Sequence, residues 1–273
     1  MPAETWRLLD TDVADPYTNM AIDEAILLEH QGGQTPPTLR FYAWSPPTIS
    51  LGYFQQLEKE IDLEAVKERG LGLVRRLTGG RAVLHDDEVT YSVVAREDHP
   101  LMLGGIRPSY LRLAAALAGG LRELGAPVEI ASGRKGAHEE HSTAACFDAP
   151  SWYEITCGGR KLVGSAQTRK GGVVLQHGSI VINLNGEDLF AVLKMPAEAV
   201  RRRLQAKFYR QACGLAEILG RSVAAAEIKT GIVRAFSRLY GIEFVTSGLT
   251  EGEKGRLEEL KAKYAGEEWL HRR

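Results

Sequence analysis

The chain has 273 residues, 44% hydrophobic and 25% charged, which is the balance of a folded domain with ample core material and excludes disordered, collagen-like and coiled-coil chains. Its 34 Lys and Arg against 35 Asp and Glu leave a formal charge of -1, so no global field draws it to nucleic acid or to an anionic membrane surface. No stretch approaches the roughly 18 consecutive apolar residues of a membrane span, and the opening residues lack the basic-then-apolar pattern of a secretory signal, so a cytoplasmic protein is expected.

The first periodic stretch, residues 19–29, sets Met20, Ala21, Ala25, Leu27 and Leu28 close to helical spacing and predicts an amphipathic helix with Asn19 as its N-cap. Runs bounded by Pro or Gly then predict strands over 38–42, 48–51, 72–76, 82–84 and 89–94. A helix is expected over 109–124. From 152 onward, Gly158-Gly159 and the segment 168–172 act as turns and predict a three-stranded meander over 152–157, 160–167 and 173–183. Beyond Gly186 the apolar spacing turns helical over 191–208, 223–239 and 249–264. Strands followed by segregated helices indicate an α+β fold with a largely antiparallel sheet. Residues 1–186 form the expected core, and 187–273 a helical extension packed on it.

Arg75-Arg76-Leu77-Thr78-Gly79-Gly80-Arg81, leading to His85, is a basic, Gly-paired turn between two predicted strands, neither a dinucleotide fingerprint nor a P-loop. The glycines let a ligand approach the backbone closely, and Arg75, Arg76 and Arg81 can hold an anionic or carbonyl group. Taken alone, the segment fits a plain hairpin with solvated arginines better.

Three cysteines, Cys146, Cys157 and Cys213, are too few and odd in number for a disulfide framework, so reduced thiols are expected. The usual fate of such a thiol is that of a small buried hydrophobe, and it becomes a nucleophile only beside a cation, a helix N-terminus or a base. For Cys146 the segment Arg160-Lys161 on the second strand of the meander offers a cation. A two-residue loop at Gly158-Gly159 pairs Thr156 with Lys161, and Cys146 reaches the pair only if the chain reverses over 148–151. Cys157 beside the turn and Cys213 in a predicted helix, with no cationic setting around it, read as structural. His138-Glu139-Glu140-His141 has its histidines at i, i+3 in a Gly-marked loop, not at the i, i+4 of a zinc helix, so no metal is expected. Arg201-Arg202-Arg203 fan around a helix and read as a solvated face. His85 and His177 are candidates for a pocket or proton transfer as well as for satisfied structural histidines, while Trp6, Trp44 and Trp152 read as core aromatics.

Together these segments resemble the biotin and lipoate protein ligase superfamily from Asn19-Met20-Ala21-Ile22-Asp23-Glu24-Ala25 to about Leu184. Three motifs narrow the resemblance to LipM-type octanoyltransferases: Arg75-Arg76-x-Thr78-Gly79-Gly80-Arg81, Cys146-Phe147-Asp148-Ala149-Pro150-Ser151-Trp152-Tyr153-Glu154, and Gly159-Arg160-Lys161-x-x-Gly164-Ser165-Ala166-Gln167-Thr168-Arg169. The resemblance implies transfer of octanoate from octanoyl-acyl carrier protein to a lysine of a lipoyl-domain protein, such as glycine cleavage H protein, with no cofactor. It places the acyl-thioester nucleophile at Cys146 and its dyad lysine at Lys161, with Arg75, Arg76, Gly79, Gly80, His85, Gly164 and His177 around the acyl site. The chemistry agrees, because a cysteine thiolate accepts an acyl group from a thioester without ATP, and a lysine can stabilise first the thiolate and then the oxyanion.

The main alternative is an ATP-dependent lipoate ligase, which activates a free acid as an acyl-adenylate. Such ligases often carry three consecutive glycines where this chain has Gly79-Gly80-Arg81, and they lack a cysteine in this context. A non-catalytic protein that binds acyl or lipoyl carriers is a further alternative, but it would be expected to lose Cys146 or Lys161. A monomer is the default expectation.

Overall fold

The structure, a computed structural model, describes residues 4–131 and 154–272. Strand β1 (Glu4–Ala14) leads into α1 (Pro16–Gln31), followed by β2 (Thr38–Trp44) and β3 (Thr48–Leu51). Two short helices, α2 (Leu57–Glu60) and α3 (Leu63–Glu68), precede β4 (Gly72–Arg75), β5 (Val83–His85) and β6 (Glu88–Arg96). After α4 (Ile106–Glu123) come β7 (Val128–Ala131), β8 (Glu154–Cys157), β9 (Arg160–Lys170) and β10 (Val173–Val181). The remainder comprises α5 (Glu187–Val192), α6 (Glu198–Gln211), α7 (Leu215–Leu219), α8 (Ala225–Tyr240), β11 (Ile242–Thr246), α9 (Glu251–Ala265) and α10 (Glu267–Leu270).

Eight strands form one sheet in the order β11-β1-β2-β6-β10-β9-β8-β7, and β4-β3-β5 form a second, small sheet. In the large sheet only the β11–β1 and β1–β2 pairs are parallel. The other neighbours are antiparallel, so the expected α+β architecture with a largely antiparallel sheet is the one observed. Trp6, Phe41, Tyr91, Leu117 and Phe236 belong to the core between one face of the sheet and helices α4 and α8. The opposite face meets α1, through Ile22, Ile26, Val94 and Leu175. A further cluster joins the small sheet to α5 and α6 through Ile49, Leu51, Phe190 and Phe208. Among the described residues no helix is long and apolar enough to cross a membrane.

Several boundaries depart from expectation for identifiable reasons. The N-cap of α1 is Asp15, not Asn19: its carboxylate accepts the Tyr17 and Thr18 amides at 3.0 and 2.9 Å, with Pro16 opening the first turn. Asn19 instead lies buried within the helix, donating to the Ala14 and Ala43 carbonyls. The helix expected over 191–208 is two helices, parted before Pro196, which cannot continue a preceding turn. Cys213 lies in the α6–α7 link. Strands β1, β7 and β11 were not expected. β11 sits within the region read as helical, where Ile242, Phe244, Val245 and Thr246 supply β-forming residues and pairing with β1 supplies the ladder.

The residues after 186 pack on the same body. Helix α9 lies along α1, where Arg256 pairs with Glu29 at 2.6 Å and Tyr264 donates its hydroxyl to Glu24 at 2.8 Å. Arg7 of β1 grips Glu253 of α9 at 2.5 Å in a buried ion pair.

Candidate active site

The hairpin β8–β9 turns through Gly158 and Gly159, both at positive φ (55° and 74°), and this two-residue loop pairs Thr156 with Lys161. The next pair is Ile155 with Val163, so Leu162 is an extra residue on β9, a β-bulge. One extra residue cancels one alternation of side chains. Leu162 and Val163 therefore both enter the core beneath α4, and Lys161 emerges on the face that carries Gly164. Its backbone carbonyl is anchored by the Cys213 amide at 3.0 Å. The Lys161 amine, on a side chain only 5% exposed, donates to Glu154 Oε1 at 2.5 Å. A Cβ on Gly164 would stand 3.3 Å from Lys161 Cε and 3.6 Å from Nζ, so glycine there leaves the amine its room.

Beside Gly164 opens a cavity of about 530 Å³ between the large sheet and the small one. Its floor is a row of cross-strand neighbours in which Tyr42 pairs with Thr90, Thr90 with Ser179, and Ser179 with Gly164. His177 flanks that row. The small sheet and its loop contribute Ser50, Arg76, Gly79, Gly80, Val83 and His85. Met20 and Trp44 complete the lining together with Ile106, Arg107 and Tyr110 of α4.

The polar groups around this cavity are engaged with one another. Glu88 accepts from Thr90 at 2.5 Å, from His85 Nδ1 at 2.8 Å and from the Ser179 hydroxyl. His85 Nε2 is hydrogen-bonded to Ser50 Oγ at 2.8 Å, and Ser50 Oγ in turn accepts from Arg76 at 3.0 Å. Asp23 gathers Arg40 at 2.7 Å, Tyr42 at 2.9 Å, Ser92 at 2.7 Å and His177 Nδ1 at 3.3 Å. Burial opposes the charge on Asp23, but Arg40 and these hydrogen bonds outweigh it and hold the carboxyl at about 2. Burial likewise keeps His177 below the ordinary imidazole value despite Asp23. The neutral ring accepts from Thr78 through Nε2 at 2.6 Å.

Of the residues singled out in the sequence, the structure brings Arg76, Gly79, Gly80, His85, Gly164 and His177 to the cavity lining and sets Lys161 just behind Gly164. Arg75 stands apart from that lining. Fully buried, it spends its guanidinium on the carbonyls of Gly52, Tyr53, Gln55 and Leu270. The plain hairpin with solvated arginines is not what forms, because β3 runs between β4 and β5 and the arginine heads are needed to satisfy buried carbonyls. Trp44, read as a core aromatic, is buried in a core cluster with Met20 and Tyr42 and also lines the cavity, stacking on His85 with ring centroids 4.3 Å apart, while Trp6 lies in the main core. Burial pushes the Cys213 thiol up to about 11, against the pull of a neighbouring Arg160 that the sequence did not reveal. Cys146, Trp152 and the segment His138-Glu139-Glu140-His141 lie outside the described residues.

Glu154, Glu88 and Ser50 escaped the sequence reading. For Glu154 a signal existed: it lies two residues before Thr156 and so shares the face of Thr156 and its partner Lys161. Glu88 follows His85 by three residues, a spacing with no meaning in a strand-turn-strand segment until the turn brings them together.

The sequence matches the lipoyl protein ligase A/B catalytic domain family over residues 15–237. It is 86% identical over 273 residues to the octanoyltransferase LipM of Moorella thermoacetica, covering the whole of both chains. The chain belongs to this family. A second octanoyltransferase LipM, from Kyrpidia tusciae, is 47% identical over 273 residues, covering 99% of this chain and 100% of the relative. Among solved structures, the bipartite lipoate protein ligase of Thermoplasma acidophilum superposes with a TM-score of 0.81 at 29% identity, covering 98% of this chain and 97% of that one. This lipoyl protein ligase A/B family member is thus an acyltransferase, built on the same fold as a lipoate ligase.

Proposed function

We propose that the chain takes octanoate from octanoyl-acyl carrier protein and transfers it to a lysine of a lipoyl-domain protein, such as glycine cleavage H protein, through a thioester on Cys146. The observation that carries this reading is the position of Lys161, a buried amine paired with Glu154 and turned by a bulge toward the side of a cavity large enough for a medium-chain acyl group. The identity to octanoyltransferases supports the choice of acyl group. In the first half-reaction the Cys146 thiolate attacks the thioester carbonyl, a new C–S bond forms as the carrier's C–S bond breaks, and the carrier leaves as a thiolate that takes up the proton Cys146 gave up. In the second, the neutral acceptor lysine attacks the acyl-cysteine, an amide forms and the Cys146 thiol is released. Lys161 supplies positive charge to the thiolate and then to the oxyanion of each tetrahedral intermediate.

The test is intact-protein mass after incubation with octanoyl-acyl carrier protein in the absence of ATP, followed by hydroxylamine. The expected result is a hydroxylamine-labile octanoyl adduct, absent from Cys146→Ala. Lys161→Met should lower acylation by about 10²–10³-fold, the loss typical of one oxyanion donor, with the fold intact. If no adduct forms while ATP and free octanoate acylate a lipoyl domain, the reading gives way to a ligase.

A further inference from the structure

We propose that the acyl donor docks on one flank of α6, where Arg203, Lys207 and Arg210 meet an acidic surface of the carrier within reach of Lys161. The inference rests on the reading that octanoate arrives as a carrier-borne thioester, and it names the surface that receives the carrier. Helix α6 holds five cations, Arg201, Arg202, Arg203, Lys207 and Arg210, against one carboxylate, Glu198, in a chain whose formal charge is -1. Glu198 pairs with Arg201 at 3.2 Å and with Arg202 at 3.1 Å, as expected of a solvated face. The other three cations are arranged differently. Leu204 and Phe208 of the same helix enter the cluster shared with the small sheet and α5, and Arg203, Lys207 and Arg210 follow at i, i+4 and i+7 beside them. Consecutive arginines fan out, but this spacing keeps three cations within about 60° of arc. Arg203 and Arg210 are exposed and Lys207 is half-buried. Among the described residues no carboxylate pairs with Arg203 or Arg210.

The C-terminal end of this helix is fixed to the candidate site. Ala212, the residue after α6, forms a parallel bridge with Lys161, and the Cys213 amide donates to the Lys161 carbonyl at 3.0 Å. Tyr209 accepts the Gly186 amide on its hydroxyl at 3.0 Å, and Phe208 packs on Phe190 with ring centroids 5.6 Å apart, so the helix is held in one orientation. At 1.5 Å rise per residue, Arg203 and Arg210 stand about 10 Å apart along the axis, and Arg203 about 14 Å from Ala212. That spacing distinguishes the two carriers the reaction needs. A lysine side chain spans about 6 Å from Cα to Nζ, so an acceptor must bring its backbone close to Lys161. A donor holds its acyl group on a longer, flexible prosthetic arm, so its body can rest along α6 while the arm covers the remaining distance. Three cations over about 10 Å suit a short acidic helix on that body, steering the encounter and fixing its register. The charge of -1 over the whole chain supplies no wider field for a nucleic acid or a membrane.

The experiment titrates unacylated holo-acyl carrier protein into the full-length protein by calorimetry, a readout that does not depend on the Cys146 route. Combining Arg203→Gln with Arg210→Gln should weaken binding by about ten-fold or more and flatten its salt dependence, with melting behaviour unchanged. Arg202→Gln, which removes one cation from another side of α6, should weaken it less than about two-fold. Replacing Arg203 and Arg210 with lysine should restore most of the affinity. In a parallel assay, the efficiency of acylation from octanoyl-acyl carrier protein relative to octanoyl-N-acetylcysteamine should drop about ten-fold in the glutamine variant, through KM rather than kcat. If the carrier acylates nothing but its binding still depends on Arg203 and Arg210, the thioester route is wrong and the docking face stands. Carrier binding that is absent from the wild type, or unchanged in a glutamine variant with native melting behaviour, overturns the proposal. So does an equal loss in Arg202→Gln, which would mark a general effect of charge. A loss confined to titration with a lipoyl-domain protein overturns it as well, by giving the face to the acceptor.

Discussion

Asp23 stays charged beneath the cavity because four donors, from Arg40, Tyr42, Ser92 and His177, converge on it. Its carboxyl is held below the ordinary value, so it stabilises the folded state above about pH 4 and that contribution drains away as the pH falls toward 2. His177 and His30 are also depressed, chiefly by burial. They stay neutral in the folded chain while the unfolded chain takes up protons as pH falls through about 6.5, so stability declines there too. Melting temperature against pH should therefore fall in two stages on acidification, first below about pH 6.5 and again below about pH 4. His177→Gln should flatten the first stage, with His30 sustaining what remains of it, and a first stage as steep as in wild type would refute this account of His177.

At the scale of elements, the decisive feature is the bulge in β9. The Gly158-Gly159 turn and the Thr156–Lys161 pairing were legible from loop length alone. The extra residue at Leu162 was not, because it exists only where the core beneath α4 draws in Leu162 and Val163 together. Two glycines on this floor should respond differently to a methyl group. In Gly164→Ala the new Cβ meets the flexible end of Lys161, so transfer should fall about ten-fold while the melting temperature changes little. In Gly178→Ala it meets the Gly164 carbonyl and Ser165 Oγ at 2.6 Å and the Tyr91 ring at 2.7 Å, atoms with little room to retreat. That variant should lose about 1–3 kcal/mol of stability in denaturant titration. Equal effects of the two changes on stability would contradict the packing argument.

Across the whole molecule, the ends of the chain are joined. The ion pair between Arg7 and Glu253 links β1 to α9 with side chains 8% and 0% exposed, and Glu253 also caps its own helix through the Thr250 amide at 2.7 Å. Arg7→Met strands a buried carboxylate, which should cost about 3 kcal/mol and lower the melting temperature by roughly 5–10 °C. Scanning calorimetry checks this, and a loss under about 1 kcal/mol would show that the extension contributes little through this contact. Parallel pairing of β1 with both β2 and β11 gives the same result in the backbone.

The sequence by itself determined the α+β class, most helices and strands to within a few residues, the hairpin that carries Lys161 and, through long motifs, the family. Local spacing, turn residues and apolar periodicity act over a few positions, so they can be read without a fold. Tertiary structure decided what depends on distant residues: that Arg75 serves buried carbonyls while Arg76 reaches the cavity, that the core aromatic Trp44 is also a cavity wall, and that Glu154 faces Lys161. It also decided that β11 is a strand, because an edge ladder needs a partner and β1, its partner, lies more than two hundred residues away. Burial and pairing energies of this kind depend on which groups arrive from elsewhere in the chain, and no local pattern encodes their arrival.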